Sequence, residues 1–260
     1  MLDALKEFYG YGGYTREPAG AYSPGHLIFV GTLIVLMIAA AIAVGLICKK
    51  KGEKSKDLVL KISAIAFCVI EITRIAGLVI KGWSILNLLP FFLCSIPLFS
   101  LPLAAFAKGR LRDSAIDFNA IFGLLIAIMG TVGAAQNFGN YPVISFENVF
   151  SAVTHIIPGF VALFIFITHT QKMEKRNMPI VFSFITGFCI VAYIVDKIVD
   201  YNYMFLIRDD GTPYSMIYNL VNGNPVLYPI LVVLLFLLYI GAFYGVYYLI
   251  TDVIMKKKKA

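Results

Sequence analysis

The stretch GHLIFVGTLIVLMIAAAIAVGLICKKK, residues 25–51, decides the fold. Its apolar run is long enough to cross a bilayer as a helix, which takes about 20 residues at 1.5 Å each. It closes on three consecutive lysines, and Lys and Arg in short loops stay on the cytoplasmic side of a membrane. Residues 1–25 carry Asp3, Lys6, Glu7, Arg16 and Glu17 without an apolar core, and the run ends in lysines instead of a small-residue cleavage site. The reading is an uncleaved first membrane helix, not a signal peptide.

The same pattern recurs along the chain. Apolar spans fall at about 26–48, 58–80, 85–106, 115–135, 148–170, 179–199 and 226–254. The composition agrees: of 260 residues 60% are hydrophobic and 14% charged, and the mean hydropathy is +0.83. Together these predict an all-α polytopic integral membrane protein with about seven transmembrane helices, forming one helical domain over residues 1–260. The third span is Pro-rich and the last is long, so these two are expected to be broken or tilted.

Basic residues set the topology. Lys49, Lys50, Lys51, Lys54 and Lys56 follow the first span, and Lys108, Arg110 and Arg112 the third. Lys172, Lys175 and Arg176 follow the fifth span, and Lys256 to Lys259 the last. Seven spans put all of these on one face and leave Lys6, Arg16, Lys81 and Arg208 on the other. The N-terminus is therefore expected outside and the C-terminus in the cytoplasm of a multi-pass cell-membrane protein. The net charge of +7 is a topology signal. No nucleic-acid partner is needed to explain it, and the basic loops suit anionic headgroups.

Ionisable groups inside the membrane are costly, and they indicate either function or an ion pair. Glu71 and Arg74 lie at i, i+3 on the second span, on one helical face. Asp196, Lys197 and Asp200 close the sixth. Each group fits either a structural pair or the wall of a polar cavity. His26 opens the first span in SPGHL, and His169 ends the fifth. His155 lies well inside the fifth span, shortly before Pro158 and Gly159, which loosen a helix and free backbone groups. In the third span, LPFFLCSIPLFSLPL at 89–103 brackets Cys94 between Pro90 and Pro97.

Depth relates these residues. Under the seven-span topology Cys94, His155 and Glu71 all lie roughly 10–14 Å below the extracytoplasmic surface. A thiol, an imidazole and a carboxylate at one level form a candidate nucleophile, base and orienter. A cysteine serving as small apolar filler fits the same position. Cys48, Cys68 and Cys189 also fall within or at the end of spans, with neither zinc spacing nor an extracytoplasmic disulfide pair. Three dispersed histidines without a carboxylate at ligand spacing predict no metal, and no cofactor is expected.

Several stretches taken together resemble a known family. LPFFLCSIP at 89–97 is similar to the LP-x-x-LC signature of the YwaF-like bacterial membrane proteins, related to the transmembrane protein 164 family. SPGHL at 23–27, Glu71, SFENVFSAVTHIIP at 145–158 and DYNYMFLIRDDGTP at 200–213 follow in matching order and spacing. The resemblance implies a cysteine-dependent lipid acyltransferase, with Cys94 as nucleophile and His155 as base. It also implies membrane phospholipids and lysophospholipids as substrates. Asn202 and Tyr203 match a family motif, and the chain carries Phe92 where the family often has a polar residue two positions before the cysteine.

The expected activity is movement of a fatty acyl group through a Cys94 acyl-enzyme near the outer leaflet. His155 would act as base, and Glu71 would hold His155 or pair with Arg74. Arg74, Asn202, Tyr203 and His26 are the expected substrate-binding residues, and the loop after the sixth span is expected to cover the site. Two alternatives remain: a non-catalytic membrane lipid or solute binder or carrier, and a fatty-acid ester hydrolase using the same site.

Overall fold

The computed structural model describes residues 2–10 and 17–257. Arg16, Lys258 and Lys259, which enter the charge pattern, lie outside the described residues. The described chain consists of helices α1 (Leu2–Tyr9), α2 (Pro24–Lys51), α3 (Glu53–Ile80), α4 (Pro97–Phe106), α5 (Gly109–Thr131), α6 (Ala135–Asn140), α7 (Phe146–Thr168), α8 (Met178–Val199), α9 (Ser215–Leu220) and α10 (Leu227–Lys257). Six long segments, built on α2, α3, α5, α7, α8 and α10, are apolar enough to cross a membrane. A shorter apolar segment, Leu93–Phe106, lies between α3 and α5. The protein is an all-α polytopic membrane protein.

Local chemistry sets the ends of these helices. Ser23 caps α2 by accepting the His26 amide, and Pro24 takes the first-turn position where its missing N–H costs nothing. Between α2 and α3 the basic segment forms almost no loop. Gly52 alone turns the chain, at φ 87°, a left-handed conformation that glycine adopts without penalty. Ser145 caps α7 by accepting the Asn148 amide, and His169 ends it in the left-handed region.

The third span departs from the expected membrane-crossing helix. Residues 85–96 contain only two short 3-10 turns, Ile85–Asn87 and Leu93–Ser95, and the α-helix begins at Pro97. Its ten residues reach about 15 Å, half the hydrocarbon thickness. Pro90 and Pro97 supply no amide donors, which weakens any helix extended back through them, and Pro97 takes the first position of α4, where the missing donor costs nothing. The last span, by contrast, is one continuous helix.

Between lipid-embedded helices, close packing replaces the hydrophobic effect, and small residues permit it. Gly123, Ala127 and Gly130 line one face of α5 and meet Pro158, Ala162, Gly159 and His155 of α7. On α2, Met37 reaches Gly159 and Gly45 receives Ile167, so α7 lies among α2, α3 and α5. Two cores result. One joins α3, α4, α5 and α7 around Phe67, Leu101, Ile116 and Phe164. The other joins α5, α8, α10 and residues 203–206 around Phe118, Phe122, Tyr203 and Tyr228. The segment holding Cys94 bridges them, with Ile96 in one core and Leu101 in the other.

Candidate active site

Cys94 occupies the short 3-10 turn Leu93–Ser95, three residues before the proline that opens α4. Non-helical backbone at membrane depth survives only where protein or a cavity surrounds it, and here the aromatic core does so. Cys94 is half-buried, and its thiol is free of any disulfide. The N-terminal end of a helix carries partial positive charge, which favours an anion beside it.

Glu71 is buried on α3 and grips Arg74 with both carboxylate oxygens, at 2.8 Å to Nε and 2.7 Å to Nη2. This bidentate fork is the strong form of a carboxylate–guanidinium pair. Both charges act electrostatically on Cys94 and on His155. Glu71 lies nine residues from the end of α3, and His155 nine from the start of α7. Phe146 at the start of α7 packs onto Gly77 near the end of α3, which keeps those two ends level.

The ring of His155 is oriented by its own helix. Nδ1 lies 2.6 Å from the Ser151 carbonyl oxygen. A carbonyl can only accept, so Nδ1 carries the proton and the neutral ring keeps its lone pair on Nε2. Glu71, committed to Arg74, is not the hydrogen-bond partner of that nitrogen. The opposite edge of the ring lies over Gly130 of α5, where an added Cβ would overlap Cδ2 and Nε2. Gly130→Ala is therefore expected to displace the imidazole and to reduce any His155-dependent step about tenfold or more. Gly241→Ala, where a Cβ meets open space, is the control. Turnover of the two purified variants side by side checks this.

The other expected binding residues have structural partners. His26 is fully buried; its Nδ1 accepts the Tyr22 amide at 3.1 Å, and its Nε2 lies 3.2 Å from the Thr131 carbonyl. Its ring stacks on Phe138 at 3.8 Å. With both nitrogens engaged, His26 ties α2 to the end of α5 and has no free atom for a substrate. Asn202 organises its loop: Nδ2 donates to the Arg208 carbonyl and to Asp210, and Oδ1 accepts from the amides of Ile207 and Arg208.

Tyr203 is buried, and its amide donates to Asp196 at 2.6 Å. Its hydroxyl donates to the Leu86 carbonyl and accepts the Leu89 amide at 3.2 Å. Burial pushes the phenol up to about 12, so the hydroxyl remains a donor. Phe92, at the position where a polar residue was the family expectation, packs edge-on against Tyr203 at 5.1 Å and also meets Tyr201 and Phe205.

Sequence reasoning missed Ser151 and Gly130. The signal for Gly130 was present as a small-residue stripe at 123, 127 and 130. It also missed Asp117, buried on α5, which accepts from Asn177, Tyr244 and, at 3.4 Å, Gln171. Among the described residues, no group of three or more His, Cys, Asp or Glu side chains is placed to hold a metal ion.

Fold and site together define a polytopic helical membrane protein with a cysteine in a 3-10 turn ahead of a half-length helix and an ion pair on the membrane helix that precedes it. A family model described as the TMEM164 family matches residues 21–247, and the chain belongs to that family. No curated protein and no solved structure gives a significant match.

Proposed function

We propose that this protein is a cell-membrane lipid acyltransferase working through a Cys94 acyl-enzyme near the outer leaflet, with its N-terminus outside. The observation that carries the reading is the position of Cys94: in a 3-10 turn that leads into the half-length helix α4, on the segment that follows the helix carrying the Glu71–Arg74 pair. Family membership supports it as well.

In this mechanism His155 Nε2 takes the Cys94 proton, and the thiolate attacks the acyl carbonyl of a phospholipid. The tetrahedral intermediate collapses with cleavage of the ester C–O bond. The departing lysolipid oxygen takes the proton from His155, leaving a thioester on Cys94. A second lysolipid hydroxyl then loses its proton to His155 and attacks the thioester, which restores the thiol. Amide groups in the broken segment are suited to stabilising the oxyanion, and Arg74 to meeting the lipid phosphate.

The test is intact-protein mass spectrometry in lipid nanodiscs after exposure to a short-chain acyl thioester. Wild-type protein is expected to gain one acyl group. Cys94→Ala is expected to gain none, and His155→Ala to be acylated at least about 100-fold more slowly, the scale of losing a general base. Absence of an adduct, or equal labelling of all four cysteines, would leave a lipid binder as the better account.

A further inference from the structure

We infer that Tyr203 is a positioning residue for Cys94, acting through the backbone of residues 86–93. For its link to acyl transfer this rests on the function proposed above; the clamp itself rests on geometry alone.

Between the end of α3 and the start of α4 the chain has little regular structure, and Pro90 and Pro97 withdraw two amides from any ladder. Backbone polar groups at this depth still need partners, because lipid offers none. One side chain from a distant loop supplies two of them. The Tyr203 hydroxyl gives its hydrogen to the Leu86 carbonyl and receives the hydrogen of the Leu89 amide. Its ring lies edge-on to Phe91 and Phe92, the residues leading into the Cys94 turn.

The clamp is itself held in place. The Asp196 carboxylate accepts the Tyr203 amide, and Asn202 closes the loop that follows. Asp200, Met204, Phe205 and Asp210 all adopt positive φ, between 44° and 56°. For bulky residues such as Met204 and Phe205 this conformation is strained and persists only where the surroundings over-determine it. Strain of this kind, concentrated in the loop that grips the cysteine segment, is consistent with a loop that fixes one geometry. The loop thus contacts the cysteine segment directly, and its motif tyrosine spends its hydroxyl on backbone, leaving none for substrate.

Tyr203→Phe separates these roles, since it keeps the ring and removes the hydroxyl. In nanodiscs, hydrogen–deuterium exchange is expected to speed up in the peptide covering residues 86–95 while α5 and α7 keep their protection. Acylation of Cys94 by a short-chain thioester is expected to slow about tenfold with little change in KM, as for misplacement of a reacting group. Tyr218→Phe, which removes a hydroxyl from the neighbouring helix α9, should match wild type in both. Wild-type exchange in Tyr203→Phe would overturn the clamp, as would faster exchange spread evenly over the whole chain. If wild-type protein forms no acyl adduct, the proposed function fails, and the exchange result still decides the clamp.

Discussion

Glu71→Ala is expected to destabilise the protein by about 3–5 kcal/mol, because it leaves Arg74 partly buried without its counter-charge. Arg74 has 22% of its side chain exposed and Glu71 3%, so neither can retreat to water. The arginine is permanently charged and cannot avoid the penalty by losing its proton. Removing both charges with apolar residues of similar size, Glu71→Leu with Arg74→Leu, is expected to recover most of that stability. Acylation of Cys94 is expected to fall in both variants, since in the double variant the guanidinium proposed to meet the lipid phosphate is gone and in Glu71→Ala it has lost the carboxylate that holds it. Thermal unfolding and acylation measured on the same three proteins check this. Recovery of both together would make the pair dispensable for chemistry.

The second large effect is expected at the opposite end of the bundle. Asp117 draws together α5, the turn before α8 and α10 by accepting from Asn177 at 2.9 Å, Tyr244 at 2.8 Å and Gln171 at 3.4 Å. Asp117→Leu strands those donors, and each buried unpaired group costs about 1–3 kcal/mol, so a loss of about 3–5 kcal/mol is expected. Tyr244→Phe removes one donor and leaves the carboxylate its other partners, so its cost should be about 1.5 kcal/mol. Comparing the unfolding midpoints in one detergent tests the ranking. Equal midpoints for the two variants would mean that the carboxylate is held by something other than these donors.

Much of this fold is legible in a linear reading because the bilayer imposes a length. Each long helix has its apolar run, and six of the seven expected spans begin or end within three residues of an observed helix. The third span shows the limit of that reading. Its hydropathy fits a crossing helix, but Pro90 and Pro97 withdraw two amide donors from one, and the segment forms turns followed by a half-length helix. The Pro content warned of a break without locating Cys94 at its edge.

Less can be read from the sequence about the candidate site. Shared depth selected Cys94, His155 and Glu71, and the i, i+3 spacing of Glu71 and Arg74 anticipated their ion pair. Depth along a helix says nothing about rotation around it or about which helices are neighbours. For that reason His26, Asn202 and Tyr203 were grouped with the substrate, whereas their polar atoms are engaged by Thr131, by the loop backbone and by residues 86–89.

The sequence by itself determined the class of protein and the approximate membrane segments and drew attention to the ionisable residues within them, because apolar length and the cost of buried charge are local properties. The tertiary structure alone decided that Gly130 makes room for the His155 ring, that Ser151 leaves its lone pair on Nε2, and that Tyr203 holds the cysteine segment. Those outcomes depend on contacts between residues as far as 117 positions apart, and on the geometry by which scarce donors meet scarce acceptors inside lipid.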